Sequence, residues 1–330
     1  MTERSTRREA EPRHVVLRTG AGSLPSAPVI HGLQRLGCRV VAADADPLSV
    51  GFLCADEYAV IPRASSPGFC DAVLDLCEQR RIDVILPAVN EEIAELDAVR
   101  DALRARGITL VAPPAAAIAV CLDKLRTAEE LARLDIPGPR TVAAERADGV
   151  GGYPCVAKPR AGRGSRGFAI VDSRAHLEIL RGQWDEPFVL QERLRGEEYT
   201  IDLLATRTGE LRVASARRRL RVSAGISVAG EIVSVRPFLP WLERLTLGLS
   251  LTGPACVQCF LGDDGVPRFT DLNPRLGGGV ALTLAGGAPL LEGVLAWVEG
   301  LPIASAVDVG VGMRFLRRYE EVYLAPGDSV

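Results

Sequence analysis

Apolar and polar positions alternate with two periods along this chain, and the switches between them predict most of its elements. In the first third, His14–Arg18, Cys38–Ala43 (running into Asp44), Ile82–Leu86 and Ile108–Val111 are short apolar runs that read as strands. Between them, Val29–Leu36, the set Phe69, Val73 and Leu76, and the set Ile93, Leu96, Val99 and Leu103 recur at helical spacing. Strands separated by helices need crossover connections, so residues 14–120 are expected to form a parallel sheet covered on both faces, a Rossmann-like domain. Residues 1–13 are almost all charged or small and read as a frayed tail without the apolar stretch of a signal peptide.

Pro113-Pro114 punctuates the end of that domain. Residues 121–190 form a second region. It has a helix with Leu125, Ala128, Leu131 and Leu134 on one side, a stop at Ile136-Pro-Gly-Pro139 and a run Tyr153–Lys158 that enters the loop Ala161–Gly167. A strand at Phe168–Val171 and a helix from about Ser173 follow. Residues 191–330 are richer in strand pattern, at Tyr199–Ala205, Leu211–Ala216, Cys256–Leu261 and Val266–Leu272. The expected fold class is therefore α/β followed by α+β, with no internal repeat.

Composition narrows the function classes. The 330 residues carry 39 Lys+Arg against 42 Asp+Glu, and this net charge of −3 supplies no global field to gather nucleic acid. No apolar run reaches the roughly 18 residues of a membrane span, and eight scattered cysteines suit a reducing, cytoplasmic setting. Cys256-Val-Gln-Cys259 has the spacing of a metal or redox pair, but no second Cys or His pair answers it, so both thiols are expected to be buried hydrophobes. Of the 39 basic residues only Lys124 and Lys158 are lysines, leaving 39 − 2 = 37 arginines. Where arginine serves almost every need for positive charge, a retained lysine suggests a site that requires a compact ammonium.

Lys158 lies at the end of a strand and opens onto a loop with glycines at 162, 164 and 167. Glycines let backbone N–H groups approach an anion and lysine adds a point charge, so this is a phosphate-handling arrangement, although not a Walker A loop. Thr19-Gly-Ala-Gly-Ser23 with Asp44 lacks the third glycine of a dinucleotide fingerprint and reads as a tight strand-to-helix turn. The run Cys256–Arg275 reads as a hairpin around Gly262-Asp-Asp-Gly265. Pairing Leu261 with Val266 puts 258 opposite 269 and 256 opposite 271, with Gln258, Asp271 and Asn273 on one face. Three oxygen donors without thiol or imidazole suit Mg²⁺; the alternative is an exposed polar face. The strand–linker–strand segment Val189–Tyr199 could present backbone to an adenine edge and Glu198 to a ribose, or Glu192, Glu197 and Glu198 are a solvated charge cluster. Strand alternation sends Arg217, Arg219 and Arg221 to one face, toward the site or toward solvent. Glu91 and Glu92 follow the third strand, where a substrate amine could meet them, or they are the acidic first turn of a helix.

In order and spacing these segments resemble the ATP-grasp superfamily, closest to its carbamoyl-phosphate-synthase-like branch with single-module amino-acid ligases such as the pyrrolysine-biosynthesis ligase. The resemblance runs from His14 to about Pro302. Its carriers are Cys121-Leu-Asp-Lys124, Ile136–Pro139, Pro154–Lys158, the loop from Gly162 to Gly167, Gln191-Glu192, Glu198-Tyr199, Val257-Gln258, and Asp271–Arg275 with Gly277-Gly278. It implies a pre-ATP-grasp domain followed by two ATP-grasp subdomains, with ATP and Mg²⁺ as cofactors. By position, Lys124 and Lys158 would contact ATP phosphates under a lid that includes Gly162, Gly164, Ser165 and Gly167. Glu192 and the backbone of Leu194 would hold adenine, and Glu198 the ribose. Gln258, Asp271 and Asn273 would hold metal, and Arg275 the transferred phosphoryl group. Glu91, Arg219, Arg221, Gly277 and Gly278 are expected near the substrates, and a homodimer is a family-level expectation.

Two departures stand out. Asp271 occupies a position where the family more often has Glu, and Gln258 one where many members are acidic, which weakens the case for a second metal ion. The implied reaction is activation of a small carboxylic or amino acid as an acyl phosphate for capture by an amine. Phosphoryl transfer that stops at the carboxyl phosphate, or at carbamoyl phosphate, and a nucleotide-binding module without turnover are the alternatives.

Overall fold

A computed structural model describes residues 11–162, 167–223, 225–318 and 320–325. The N-terminal portion alternates β1 (Val15–Thr19), α1 (Ser26–Arg35), β2 (Arg39–Asp44), β3 (Glu57–Val60), α2 (Phe69–Arg80), β4 (Val84–Leu86), α3 (Asn90–Ala98), α4 (Arg100–Ala105) and β5 (Thr109–Leu110), and α5 (Ala115–Leu122) follows. The strands form one parallel sheet of order β3-β2-β1-β4-β5. Two details differ from the sequence expectation. β3, whose residues alternate half-buried and exposed at the sheet edge, is not among the expected strands, and the helix expected across Ile93–Leu103 is broken at Val99 into α3 and α4.

Next come α6 (Lys124–Arg133), β6 (Thr141–Ala143), β7 (Cys155–Pro159), β8 (Ala169–Val171), α7 (Arg174–Gln183) and β9 (Phe188–Glu192). The four strands make an antiparallel sheet of order β6-β9-β7-β8. Capping fixes both helices: the Asp123 side chain accepts the N–H groups of Leu125 and Arg126, and Ser173 accepts that of His176. This sheet has its own small core, in which Cys155 and Ala157 of β7 meet Leu177 and Leu180 of α7. Strand alternation then turns Lys158 to the opposite face.

The remainder consists of β10 (Glu197–Ala205), β11 (Leu211–Ser223), β12 (Ile226–Val233), α8 (Leu239–Gly248), β13 (Gly253–Leu261), β14 (Pro267–Asn273), α9 (Val280–Ala285), α10 (Leu290–Glu299), β15 (Ala306–Val307) and β16 (Arg314–Leu316). Its sheet runs β14-β13-β10-β11-β12-β16, with β15 added parallel to β11. One face is apolar, with Tyr199, Ile201, Leu203, Ala214, Ala216, Val257, Cys259, Phe269 and Leu272 packed with α8 residues Leu242 and Leu245. The other face carries polar side chains. The N-terminal sheet is not a separate globule: Val29, Ile30 and Leu33 of α1 share a core with Leu290, Leu291, Val294 and Trp297 of α10.

A candidate nucleotide and phosphoryl site

Three elements bring the two lysines together. Lys124 is the first residue of α6, and its backbone N–H donates to the carbonyl of Arg160 at 3.0 Å. Arg160 in turn clamps Asp123 through Nε at 2.9 Å and Nη2 at 2.7 Å. Burial works against the Asp123 carboxylate, but the Arg160 and backbone donors outweigh it and hold its pKa below the ordinary range. The capping residue of α6 is thereby tied to the segment that follows Lys158. Lys124 Nζ donates to the carbonyl of Gly162 at 3.2 Å. Burial lowers the Lys124 pKa, and the Lys158 charge adds to this while Asp271 opposes it.

Lys158 Nζ lies 3.2 Å from Asp271 Oδ2, joining the four-stranded sheet to β14. In the hairpin the observed register corrects the sequence expectation. Gln258 faces Asp271 and Cys256 faces Asn273, with a bulge between Gln258 and Cys259. The extra residue, Thr270, separates the two faces: Phe269 pairs with Cys259 and enters the core, while Asp271 and Asn273 share the polar face with Gln258. The three oxygen donors thus fall on one face as expected, through a different pairing. Cys256 and Cys259, three apart in a strand, point to opposite faces, so the CxxC spacing cannot chelate. Among the described residues no group of three or more His, Cys, Asp and Glu is placed to hold a metal.

Along the same face run Glu198, Thr200 and Asp202 of β10, with Arg217 opposite Thr200. Glu198 is paired with Arg219, whose Nη2 also donates to the carbonyl of Gly225 at 2.8 Å. Burial raises the Glu198 pKa against the pull of Arg219. Arg217 is buried against Asp202 at 2.8 Å, and Thr283 donates to the same carboxylate oxygen at 2.7 Å. The expectation that Arg217, Arg219 and Arg221 share a face fails at Arg221. Arg219 pairs with Gly230 and Arg221 with its neighbour Ala229, so a bulge at Leu220 turns Arg221 to the other side.

Exposed Glu192 ends β9, where its Oε2 accepts the Arg140 N–H at 3.2 Å, and the linker that follows to β10 carries Leu194, half-buried. Gly196 closes the linker at φ +117, where an added Cβ would stand 2.2 Å from the carbonyl oxygen of Leu261. Gly277 sits where a Cβ would lie 2.6 Å from both Asp202 Oδ1 and Cys256 Sγ, and the Gly278 carbonyl accepts Arg317 Nη2 at 2.6 Å. Gly162 and Gly167 flank the loop, and Gly164 and Ser165 lie outside the described residues.

Arg275 meets the start of α3 in the N-terminal portion. Its Nε donates to Asn90 Oδ1 at 2.8 Å and its Nη2 to Asn273 Oδ1 at 3.4 Å, while Asn90 Nδ2 donates to Asn273 Oδ1 at 3.1 Å. Asn90 opens α3, whose next residue, Glu91, lines a cavity of about 570 Å³ together with Gly162, Gly167, Trp184, Asp185 and Glu186. Glu92 is buried and accepts the Thr19 hydroxyl at 2.6 Å. Arg18 beneath it is fully buried, donates to the carbonyls of Leu86 and Pro87, and is pushed down to about 10 by burial. In the Gly20–Ser23 turn, the N–H groups of Ala21, Gly22 and Ser23 are taken by Ala43, Asp44 and Gly20, so the turn serves the backbone. Sequence reasoning missed Asp123, Arg160 and Asn90 as site builders. The Leu-Asp-Lys capping signal and the Lys-Pro-Arg spacing could have flagged the first two.

Comparison with known proteins finds likenesses in both parts of the chain. Residues 28–111 match the family described as PylC-like, N-terminal domain, and residues 185–317 that described as ATP-grasp in the biosynthetic pathway with Ter operon. The formate-dependent phosphoribosylglycinamide formyltransferase of Burkholderia pseudomallei (strain 668) is 28% identical over 289 residues, 79% of this chain and 68% of that protein. Among solved structures, N5-carboxyaminoimidazole synthetase from Staphylococcus aureus, complexed with ADP, superposes with TM-score 0.76 at 14% identity over 91% of this chain and 81% of that one. L-amino acid ligase from Bacillus licheniformis gives TM-score 0.69 at 17% identity, covering 88% and 75%. The biotin carboxylase domain of the Hydrogenobacter thermophilus 2-oxoglutarate carboxylase, solved with MgADP and bicarbonate, gives 0.73 at 18%, covering 90% and 72%.

Proposed function

We propose that this chain, which joins a PylC-like N-terminal domain to an ATP-grasp fold, is an ADP-forming ligase that activates a small carboxylic or amino acid and passes it to an amine. The observation that carries the proposal is that the only two lysines in the sequence converge on Asp271: Lys158 Nζ lies 3.2 Å from its carboxylate, and Lys124, which donates to the carbonyl of Gly162, lies within reach of the charges of both Asp271 and Lys158. ATP phosphates would lie between Lys124, Lys158 and that loop. The β9–β10 linker at Glu192–Leu194 would receive the adenine and Glu198 the ribose. Gln258, Asp271 and Asn273 offer oxygen donors of the kind Mg²⁺ selects, and the bound ion would neutralise phosphate charge. Arg275, anchored by Asn90, would stabilise the transferred phosphoryl group; such chemistry needs positioning and charge more than a nucleophile of the protein. The cavity beside Glu91, Asp185 and Glu186 is where the acceptor amine would enter. The relatives whose names mention formate, bicarbonate or an L-amino acid support a small carboxylate as the activated group.

The test is ADP release from Mg-ATP against amino acids and small acids supplied singly and in pairs, with mass detection of products. A ligase releases ADP and a joined product only when acid and amine are both present. ADP release with one acid alone, and a phosphorylated acid as the product, would replace the ligase by a carboxylate kinase.

A further inference from the structure

We infer that Asp123 and Arg160 form a clasp that fixes where Lys124 stands relative to Lys158, and that both are therefore positioning residues for the phosphate end of the nucleotide. The inference rests on the reading of the two lysines as phosphate contacts. It starts from how each lysine is held. Lys158 belongs to β7 and is paired with Val189 of β9, so the sheet fixes its backbone. Lys124 opens α6, and its place depends on whatever anchors the start of that helix. Two ammonium groups brought near one another repel. Burial lowers the Lys124 pKa, and the Lys158 charge lowers it further. Keeping the pair together before a phosphate arrives calls for a tie between the two segments.

That tie runs through Arg160, two residues beyond Lys158. Its N–H donates to the Pro187 carbonyl at 2.9 Å, beside β9, and its own carbonyl accepts the Lys124 N–H at 3.0 Å. Its guanidinium reaches across to Asp123, with Nη2 2.7 Å from Oδ2 and Nε shared between both oxygens at 2.9 Å. The same carboxylate caps α6, Oδ1 accepting the N–H groups of Leu125 and Arg126 at 3.0 and 3.2 Å. Arg126 Nε lies farther off, 3.6 Å from Oδ2, and on α6 itself, so it joins nothing across the gap. A planar fork on a carboxylate sets direction as well as distance, whereas a lysine would offer a point charge. The two side chains are 39% and 21% exposed, and an ion pair so open to water adds little to stability. Its contribution is geometric. Asparagine caps helices about as well as aspartate, so Asp123→Asn keeps the cap and removes the charge that holds Arg160.

The experiment is calorimetric titration of the full chain with ATP. It compares wild type, Asp123→Asn, Arg160→Ala, these two together, Lys124→Ala, and Lys124→Ala combined with Asp123→Asn. Thermal melts are the folding control; one clasp variant keeps the cap and the other leaves α6 unaltered, so each guards the other against loss of fold. Asp123→Asn and Arg160→Ala should each weaken ATP binding by about threefold to tenfold. Together they should cost no more than the larger single loss, because either change opens the same clasp. With Lys124 already replaced by alanine, Asp123→Asn should cost less than about twofold, since the ammonium it positions is gone. If Lys124→Ala weakens ATP binding and the clasp variants do not, this inference is overturned and the phosphate reading stands. A loss as large without Lys124 as with it also overturns it, since it marks a merely structural pair. So does an Arg160→Ala loss that adds to that of Asp123→Asn, which would make Arg160 a direct phosphate contact. If Lys124→Ala leaves ATP binding unchanged, the phosphate reading fails at that lysine and carries the inference down with it.

Discussion

At the scale of residues, charge placement produces measurable signs. Lys158→Ala should weaken ATP binding by about tenfold or more, roughly 1.4 kcal/mol, because an ammonium at a phosphate is lost; unchanged affinity in a nucleotide titration would remove the lysine from the site. Burial depresses the pKa of Lys124 in the free protein, and a phosphate beside it would raise it again. ATP binding should therefore take up a proton at alkaline pH, and affinity should fall as pH rises through the interval between the free and bound pKa values. Calorimetry in buffers of different ionisation enthalpy reads the uptake, and Lys124→Arg should abolish it. The thiols make a third expectation. Burial pushes Cys38 up to about 11 and Cys77, Cys121 and Cys256 up to about 12. A thiol reagent at pH 8 should react quickly with at most the half-buried Cys54 and Cys70, and the other six should need denaturant. The lysines stood out in the sequence because arginine is everywhere else. Asn90 did not, because one asparagine at the start of a helix has no signature before its partners, 183 and 185 residues away, fold onto it.

At the scale of elements, strand alternation predicted which hairpin residues share a face, and it succeeded for Gln258, Asp271 and Asn273. It could not predict the bulges at Thr270 and Leu220, because one unpaired residue in an otherwise regular run leaves no compositional trace. For the same reason the pairing of 258 was two residues off and Arg221 was assigned to the wrong face. β3 was not read as a strand although Tyr58-Ala-Val-Ile61 is an apolar run; it lies at the sheet edge with alternate residues exposed rather than in the buried centre of the sheet. The β9–β10 linker gives the prediction at this scale. Gly196→Ala places a Cβ 2.2 Å from the Leu261 carbonyl at a left-handed φ, and should cost about 1–3 kcal/mol of stability. Urea unfolding checks the cost, and wild-type stability in the variant would show that the linker can yield.

At the scale of the molecule, α1 and α10 share one core, with Leu291 against the position where Gly32 has no side chain. Leu291→Ala should lose about 2–5 kcal/mol and shift a single denaturation transition; two separate transitions would show that the N-terminal sheet unfolds independently. This docking was not legible in the sequence, since periodicity reveals that a helix has an apolar face and not what covers it. The arginine-for-lysine economy has a practical consequence at the same scale. Apart from the α-amino group, Lys124 and Lys158 are the only primary amines in 330 residues. The chain is, in effect, its own lysine-scanning library already reduced to the two positions of interest. An amine-selective acylating reagent becomes a footprint of one small region, and intact mass alone, without peptide mapping, reports how many of these amines a bound nucleotide shields.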